Sequence, residues 1–137
     1  MRVFIDTAPL IYLCEGTETQ NQSVSSQLAK WLEAENSLGS STMTLLELLV
    51  VPFRENNKRL AIKYRTLLND LLSEPLIPLD ETIAESASFY RADYGFKTPD
   101  AIQIATAIQH GYDAFYTNDR KLSACNEIDV VFAFSCR

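Results

Sequence analysis

The stretch 97–119, KTPDAIQIATAIQHGYDAFYTND, constrains the fold of this chain more than any other. Thr98 can cap a helix, Pro99 suits its first position and Asp100 falls in its first turn. Ala101, Ile104, Ala105 and Ile108 recur at helical spacing and predict a core-facing stripe. His110-Gly111 is a stop signal. Ala114-Phe115-Tyr116 then reads as a short buried strand, with Thr117-Asn118-Asp119 at its carboxyl end. One acid therefore begins a helix and another ends a strand. In open α/β sheets that edge is where ligands bind.

The rest of the chain repeats this alternation. Val3-Phe4-Ile5 is a continuous apolar run, as suits a strand covered on both faces, and Asp6 stands at its carboxyl end. Asp6 or Thr7 can cap a helix over 9–15, ended by Gly16. Residues 17–22 are polar and read as loop. A helix over 23–38 follows, with Val24, Leu28, Ala29, Trp31 and Leu32 inward and Gly39 as its stop. Ser40-Ser41-Thr42 is expected to be a short strand, 44–52 a helix and 57–73 an amphipathic helix built on Leu60, Tyr64, Leu67, Leu68 and Leu71. A short strand is expected over 76–79. Asp80 caps a helix to about Tyr94, with Ile83, Ala87 and Tyr90 inward. After Asp119, residues 120–125 form a helical turn and Asp129-Val130-Val131-Phe132 a last strand. The pattern predicts one α/β domain over 1–137 with a mainly parallel sheet.

Composition narrows the chemistry. A 137-residue chain with 47% apolar residues can bury a real core. The three cysteines, Cys14, Cys125 and Cys136, have no CxxC spacing, so buried thiols are expected rather than a disulfide or a zinc site. His110 is the single histidine and sits at a helix end, which leaves triad chemistry and a two-histidine ribonuclease mechanism without residues. No stretch reaches membrane-spanning length and the N-terminus lacks a signal-peptide pattern, so a cytoplasmic protein is expected. The net charge of −6 argues against loose nucleic-acid binding. Yet residues 54–65 hold five basic residues and one acid, and Lys58, Arg59 and Lys63 are candidates for contact with substrate phosphates.

Carboxylates remain as the chemistry. Asp6 and Asp119 end strands. Glu47 and Asp100 lie on helices that leave the same edge. Glu47 is the only charged residue between Glu35 and Arg54, among Leu45, Leu46, Leu48, Leu49, Val50 and Val51, and such an acid needs a partner or a task. In a right-handed parallel α/β sheet these four acids can converge although distant in sequence. Converging carboxylates repel one another unless a cation sits between them, and oxygen ligands without His or Cys favour Mg²⁺ or Mn²⁺. Such a site suits metal-assisted phosphodiester hydrolysis, with no protein nucleophile required.

Four blocks, VFIDTAPLIYL, STMTLLELL, YGFKTPDAIQIATAIQHG and YTNDRKL, resemble in order and spacing those of the PIN domain family, and specifically its VapC-type toxins. The resemblance covers almost the whole chain. It implies a three-layer αβα sandwich around a parallel sheet of about five strands. It also implies Mg²⁺- or Mn²⁺-dependent endoribonuclease activity, with Asp6, Glu47, Asp100 and Asp119 as metal-binding acids and Thr117 as the hydroxyl residue lining the site. The implied partners are an RNA substrate, a second copy of the chain and a protein antitoxin. Asp119 is the acid expected to meet the metal through water. One departure stands out: Ala8 occupies a position where the family often has Asn. Two other readings are a PIN-fold RNA-processing or RNA-binding protein without toxin activity, and a receiver-like signalling domain. The latter calls for paired acids after the first strand, whereas Asp6 is flanked by Ile5 and Thr7.

Overall fold

Four short apolar segments pair edge to edge: β1 (Arg2–Ile5), β2 (Ser37–Gly39), β3 (Ala114–Thr117) and β4 (Asp129–Phe132). In the computed structural model, which describes residues 1–134, all of them run parallel in the order β2-β1-β3-β4. The chain leaves β1 for β2 on one side and reaches β3 on the other. The switch in winding direction therefore lies between β1 and β3, where crevices open in doubly wound sheets.

Alternation along the strands distributes the core. Phe4 and Phe115 point to one face, stacked with centroids 5.4 Å apart. There they meet α5 (Glu81–Tyr94) and α6 (Thr98–Gln109) through Ile83, Ala87 and Ile104. Val3, Ile5, Ala114 and Tyr116 point to the other face. They meet α1 (Thr7–Glu15), α2 (Glu18–Glu33), α3 (Thr42–Arg54) and α4 (Lys58–Leu71) through Leu10, Trp31, Leu48 and Tyr64. Trp31 packs edge-on against Tyr116 at 4.8 Å, as core packing of Trp31 requires. The fully buried Phe4 and Phe115 each contribute about 1.5–3 kcal/mol of apolar burial.

Several boundaries differ from expectation, each for a local reason. Residues 17–22 are not loop. Thr17 and Gln20 form a reciprocal capping box, so α2 starts at Glu18. It ends at Glu33, before Glu35 turns the chain at φ 62°, and not at Gly39. Gly39 belongs instead to β2, where an added Cβ would fall 1.8 Å from the Tyr112 hydroxyl oxygen. Ser40-Ser41-Thr42 is no strand, because the Ser41 side chain caps α3. The sheet has four strands rather than about five. Residues 76–79 contribute only a parallel bridge from Ile77 to Ser41, since Pro75 and Pro78 on either side have no N–H to extend a ladder. Thr98 lies inside α6 and Lys97 occupies the cap position, without a side-chain cap bond. Cys125 is buried and Cys14 partly so, while Cys136 falls outside the described residues.

Candidate functional site

The four acids reach the carboxyl edge by four different routes. Asp6 is the residue after β1 and the N-cap of α1, which answers the choice between Asp6 and Thr7 as cap. Its backbone N–H continues the ladder to the Tyr116 carbonyl at 2.9 Å, so it is locked beside the end of β3. Glu47 sits midway along α3 and Asp100 in the first turn of α6. Asp119 follows β3 and caps the 3-10 turn Arg120–Ala124, its Oδ1 accepting from Lys121 N at 3.0 Å.

Short hydroxyl side chains hold this edge together. Asp6 Oδ1 accepts from Thr7 N at 2.8 Å, and Asp6 Oδ2 accepts from Thr117 Oγ1 at 2.8 Å. Thr117 Oγ1 in turn accepts from Asp119 N at 3.2 Å, tying two of the acids through one hydroxyl. Thr7 Oγ1 donates to Glu47 Oε1 at 2.6 Å. Beneath them lies Gln103 of α6, which is 1% exposed. Its Nε2 donates to Thr44 Oγ1 at 2.6 Å and to Asp6 Oδ1 at 3.3 Å, and its Oε1 accepts from Ser41 Oγ.

Burial and mutual repulsion act together on three of these acids. Burial raises the Asp6 carboxyl above its ordinary range; the bonds from Thr117, Thr7 and Gln103 pull it down, and Asp119 pushes it up again. Glu47 is raised by burial, opposed by the Thr7 bond and helped by Asp6. Asp100 is pushed up to about 6 by burial and then by Asp6, Asp119 and Glu47, against a weaker pull from Lys97. Among the described residues the one ion pair is Arg2–Glu74 at 2.7 Å, so no side-chain cation is bonded to any of the four. Nor, among those residues, is any group of three His, Cys, Asp or Glu side chains gathered within ligand distance of a common point. The donor set nevertheless fits a hard divalent cation: all oxygen, net negative, partly buried and open to solvent at Glu47, Asp100 and Asp119.

The structure thus brings Asp6, Glu47, Asp100, Asp119 and Thr117 to one edge. Lys58, Arg59 and Lys63 lie elsewhere, on α4. Arg59 and Lys63 border a groove of about 570 Å³ with Leu13, Cys14, Ile62 and Leu67, by the end of α1 remote from Asp6. The sequence offers Thr7 only as a possible helix cap and Ser41 only as part of a short strand, and its patterning singles out neither Thr44 nor Gln103 as a site residue. Gln103 carried a signal: an amide flanked by Ile102 and Ile104 in an apolar helical run, one turn after Asp100, invites the reasoning that singled out Glu47.

Fold and site together define an α/β protein with a carboxylate cluster at the switch point of a parallel sheet. Residues 3–127 match the PIN domain, and the chain belongs to the PIN domain family. That membership displaces the receiver-like alternative. Solved structures share the fold over nearly their whole length. A chain of a toxin–antitoxin complex from Klebsiella pneumoniae is 24% identical, with 98% of this chain and 99% of that one covered at a TM-score of 0.76. A chain of VapBC2 from Rickettsia felis, bound to a DNA fragment from its promoter, is 14% identical, with 96% and 98% covered at 0.78. A chain of FitAcB from Neisseria gonorrhoeae is 23% identical, with 93% and 95% covered at 0.69. No curated protein matches the chain.

Proposed function

We propose that this chain is a Mg²⁺- or Mn²⁺-dependent endoribonuclease and the toxin half of a toxin–antitoxin pair. The observation that carries this reading is the gathering of Asp6, Glu47, Asp100 and Asp119 at one sheet edge, where among the described residues no side-chain cation is bonded to any of them. Such a cluster is costly unless a cation compensates it. Membership of the PIN domain family and the fold shared with toxin–antitoxin chains support the rest.

In this reading Asp6, Glu47, Asp100 and Asp119 hold the cation. When bound, the cation supplies a Lewis acid for a phosphate oxygen and lowers the pKa of a water. The chain's own residues do the positioning. Thr117 fixes Asp6 Oδ2 and Thr7 fixes Glu47 Oε1, so both carboxylates present defined oxygens rather than rotating freely. The N-terminal turn of α6 carries Asp100 and offers a positive dipole end to developing negative charge. Lys58, Arg59 and Lys63 would meet RNA backbone beyond the scissile bond. The nine residues of α1 rise about 13 Å, so those contacts fall well outside the acid cluster.

The proposed protein partners are an antitoxin and a second copy of the chain. Exposed apolar side chains on α3 and α4 give such partners a surface: Leu46 at 59%, Phe53 at 68% and Ile62 at 65% exposure. No helix among the described residues is long and apolar enough to cross a membrane. The proposed setting is the cytoplasm, and the whole of 1–137 is taken as one domain.

The test is RNA cleavage by chelator-treated protein. The reading expects no cleavage in EDTA and recovery on adding Mn²⁺ or Mg²⁺ in excess. Cleavage that persists in EDTA, or none with either ion, would contradict it.

A further inference from the structure

Gln103 is the only side chain among the described residues that bonds to Asp6 from α6, the helix that carries Asp100. Its amide makes three bonds. One N–H faces Thr44 Oγ1, the other faces Asp6 Oδ1, and the carbonyl receives the Ser41 hydroxyl. Ser41 and Thr44 belong to the start of α3, the helix that carries Glu47 one turn after Thr44. Ser40 completes the base: its Oγ lies 2.8 Å from Thr44 Oγ1 and donates to the Ile5 carbonyl at 2.7 Å, just before Asp6. A single buried amide therefore ties β1, α3 and α6, the elements that position three of the four acids.

The consequence lies in how Asp6 is occupied. A carboxylate offers about four acceptor positions, two on each oxygen. Asp6 Oδ1 uses both of its own, one on Thr7 N and one on Gln103 Nε2. Asp6 Oδ2 uses one, on Thr117 Oγ1. The single free position is on Oδ2. We propose that Gln103 is a positioning residue that closes Asp6 Oδ1 to ligands, so that Asp6 meets a divalent cation through Oδ2 alone, and that this selects Mg²⁺ and Mn²⁺ over Ca²⁺. The inference rests on the metal-site reading above and deepens it. Ca²⁺ accepts bidentate carboxylates in flexible shells of six to eight oxygens, whereas Mg²⁺ demands near-octahedral single-oxygen ligation. Opening Oδ1 would suit the larger ion.

The chemistry of the side chain is specific. Methionine fills a similar volume but supplies no donor and no acceptor, leaving the Ser41 and Thr44 hydroxyls without their partner. Glutamate keeps the acceptor for Ser41 but places a fifth carboxylate against Asp6. A residue that served packing alone would tolerate methionine without any change in which ion binds.

The experiment is calorimetric titration of chelator-treated protein with Mn²⁺ and separately with Ca²⁺. The variants are Gln103→Met, Gln103→Glu and Thr44→Val, with Ile104→Val as a core control on the same helix. Wild type should bind Mn²⁺ more tightly than Ca²⁺. Gln103→Met should weaken Mn²⁺ binding by about 10–100-fold, the usual scale for losing a partner of a metal ligand, and narrow the Mn²⁺/Ca²⁺ ratio. Thr44→Val, which frees the amide from one anchor, should shift the ratio in the same direction by less. It also serves as the reporter if Gln103→Met does not fold. Ile104→Val should leave the ratio unchanged. A ratio identical to wild type in Gln103→Met, or in Thr44→Val where that variant reports, overturns the proposal. Wild type that binds neither ion overturns both it and the metal-site reading, so the two failures are told apart.

Discussion

At the scale of single residues, two tyrosines on one face of the sheet show how partners decide stability. The Tyr64 hydroxyl bonds to the Glu15 carboxylate, whereas the buried Tyr116 hydroxyl has no partner among the described residues. Removing a hydrogen bond to a charged group costs about 1.5–3 kcal/mol, while removing an orphaned polar group costs little or gains. Urea unfolding should therefore find Tyr64→Phe destabilised by about 2 kcal/mol and Tyr116→Phe no less stable than wild type. The acids give a second prediction. The Asp100 carboxyl is held near about 6, above its ordinary 3.8, so the folded chain keeps a proton that the unfolded chain has already lost. Stability then rises as pH falls from about 6 towards 4 and is lost as pH rises through 6. Asp6 and Glu47, also raised, act in the same direction. Chelator-treated protein should melt at a higher temperature at pH 5 than at pH 7, and Asp100→Asn should shrink that difference. The positions of the four acids were legible in the sequence, Asp6 and Asp119 after short apolar runs, Asp100 beside a helix-start signal and Glu47 alone in an apolar helix. Thr7 and Thr44 were not, since a threonine near a helix start is ordinary whether or not it bonds to a carboxylate.

At the scale of elements, α3 links fold to site. Its cap, Ser41, accepts from Thr44 N while its hydroxyl serves Gln103, so one side chain starts the helix and anchors the amide beneath Asp6. Ser41→Ala should cost about 2 kcal/mol, combining a lost cap with a buried acceptor left without a donor, read as a lower urea midpoint at unchanged slope. The strong helical patterns of α4, α5 and α6 were readable because their inward positions recur at the helical period. The early boundaries were not. The Thr17–Gln20 capping box looks like polar loop in a linear reading, and the role of Gly39 depends on Tyr112, 73 residues away. The expected fifth strand shows the limit of an apolar run as a signal: Leu76-Ile77-Pro78-Leu79 has the side chains of a strand, but Pro75 and Pro78 confine its pairing to a single bridge at Ile77.

At the scale of the whole molecule, charge is divided between two regions. The acids gather at the switch point of the sheet, and Arg59 and Lys63 border a groove by the far end of α1. If these residues with Lys58 hold RNA backbone, replacing all three by glutamine should weaken RNA binding and reduce its salt slope by about 3, near one per phosphate contact. Filter binding across salt concentrations reads both, and an unchanged slope would make that face a solvated surface. On the proposed reading, the acid cluster of a chain with net charge −6 must be neutralised locally before a phosphate can approach. That local neutralisation is the central claim, and metal-linked thermal stability tests it most directly. Melting of chelator-treated wild type and Asp100→Asn at pH 7, with and without Mn²⁺, should give a variant that melts above wild type without the ion. Wild type should gain about 2.7 kcal/mol of stability at an Mn²⁺ concentration 100 times its dissociation constant, with much of that gain absent in the variant. Wild type that melts at the same temperature with or without millimolar Mn²⁺, or an Asp100→Asn variant that responds as fully as wild type, would contradict a four-carboxylate metal site.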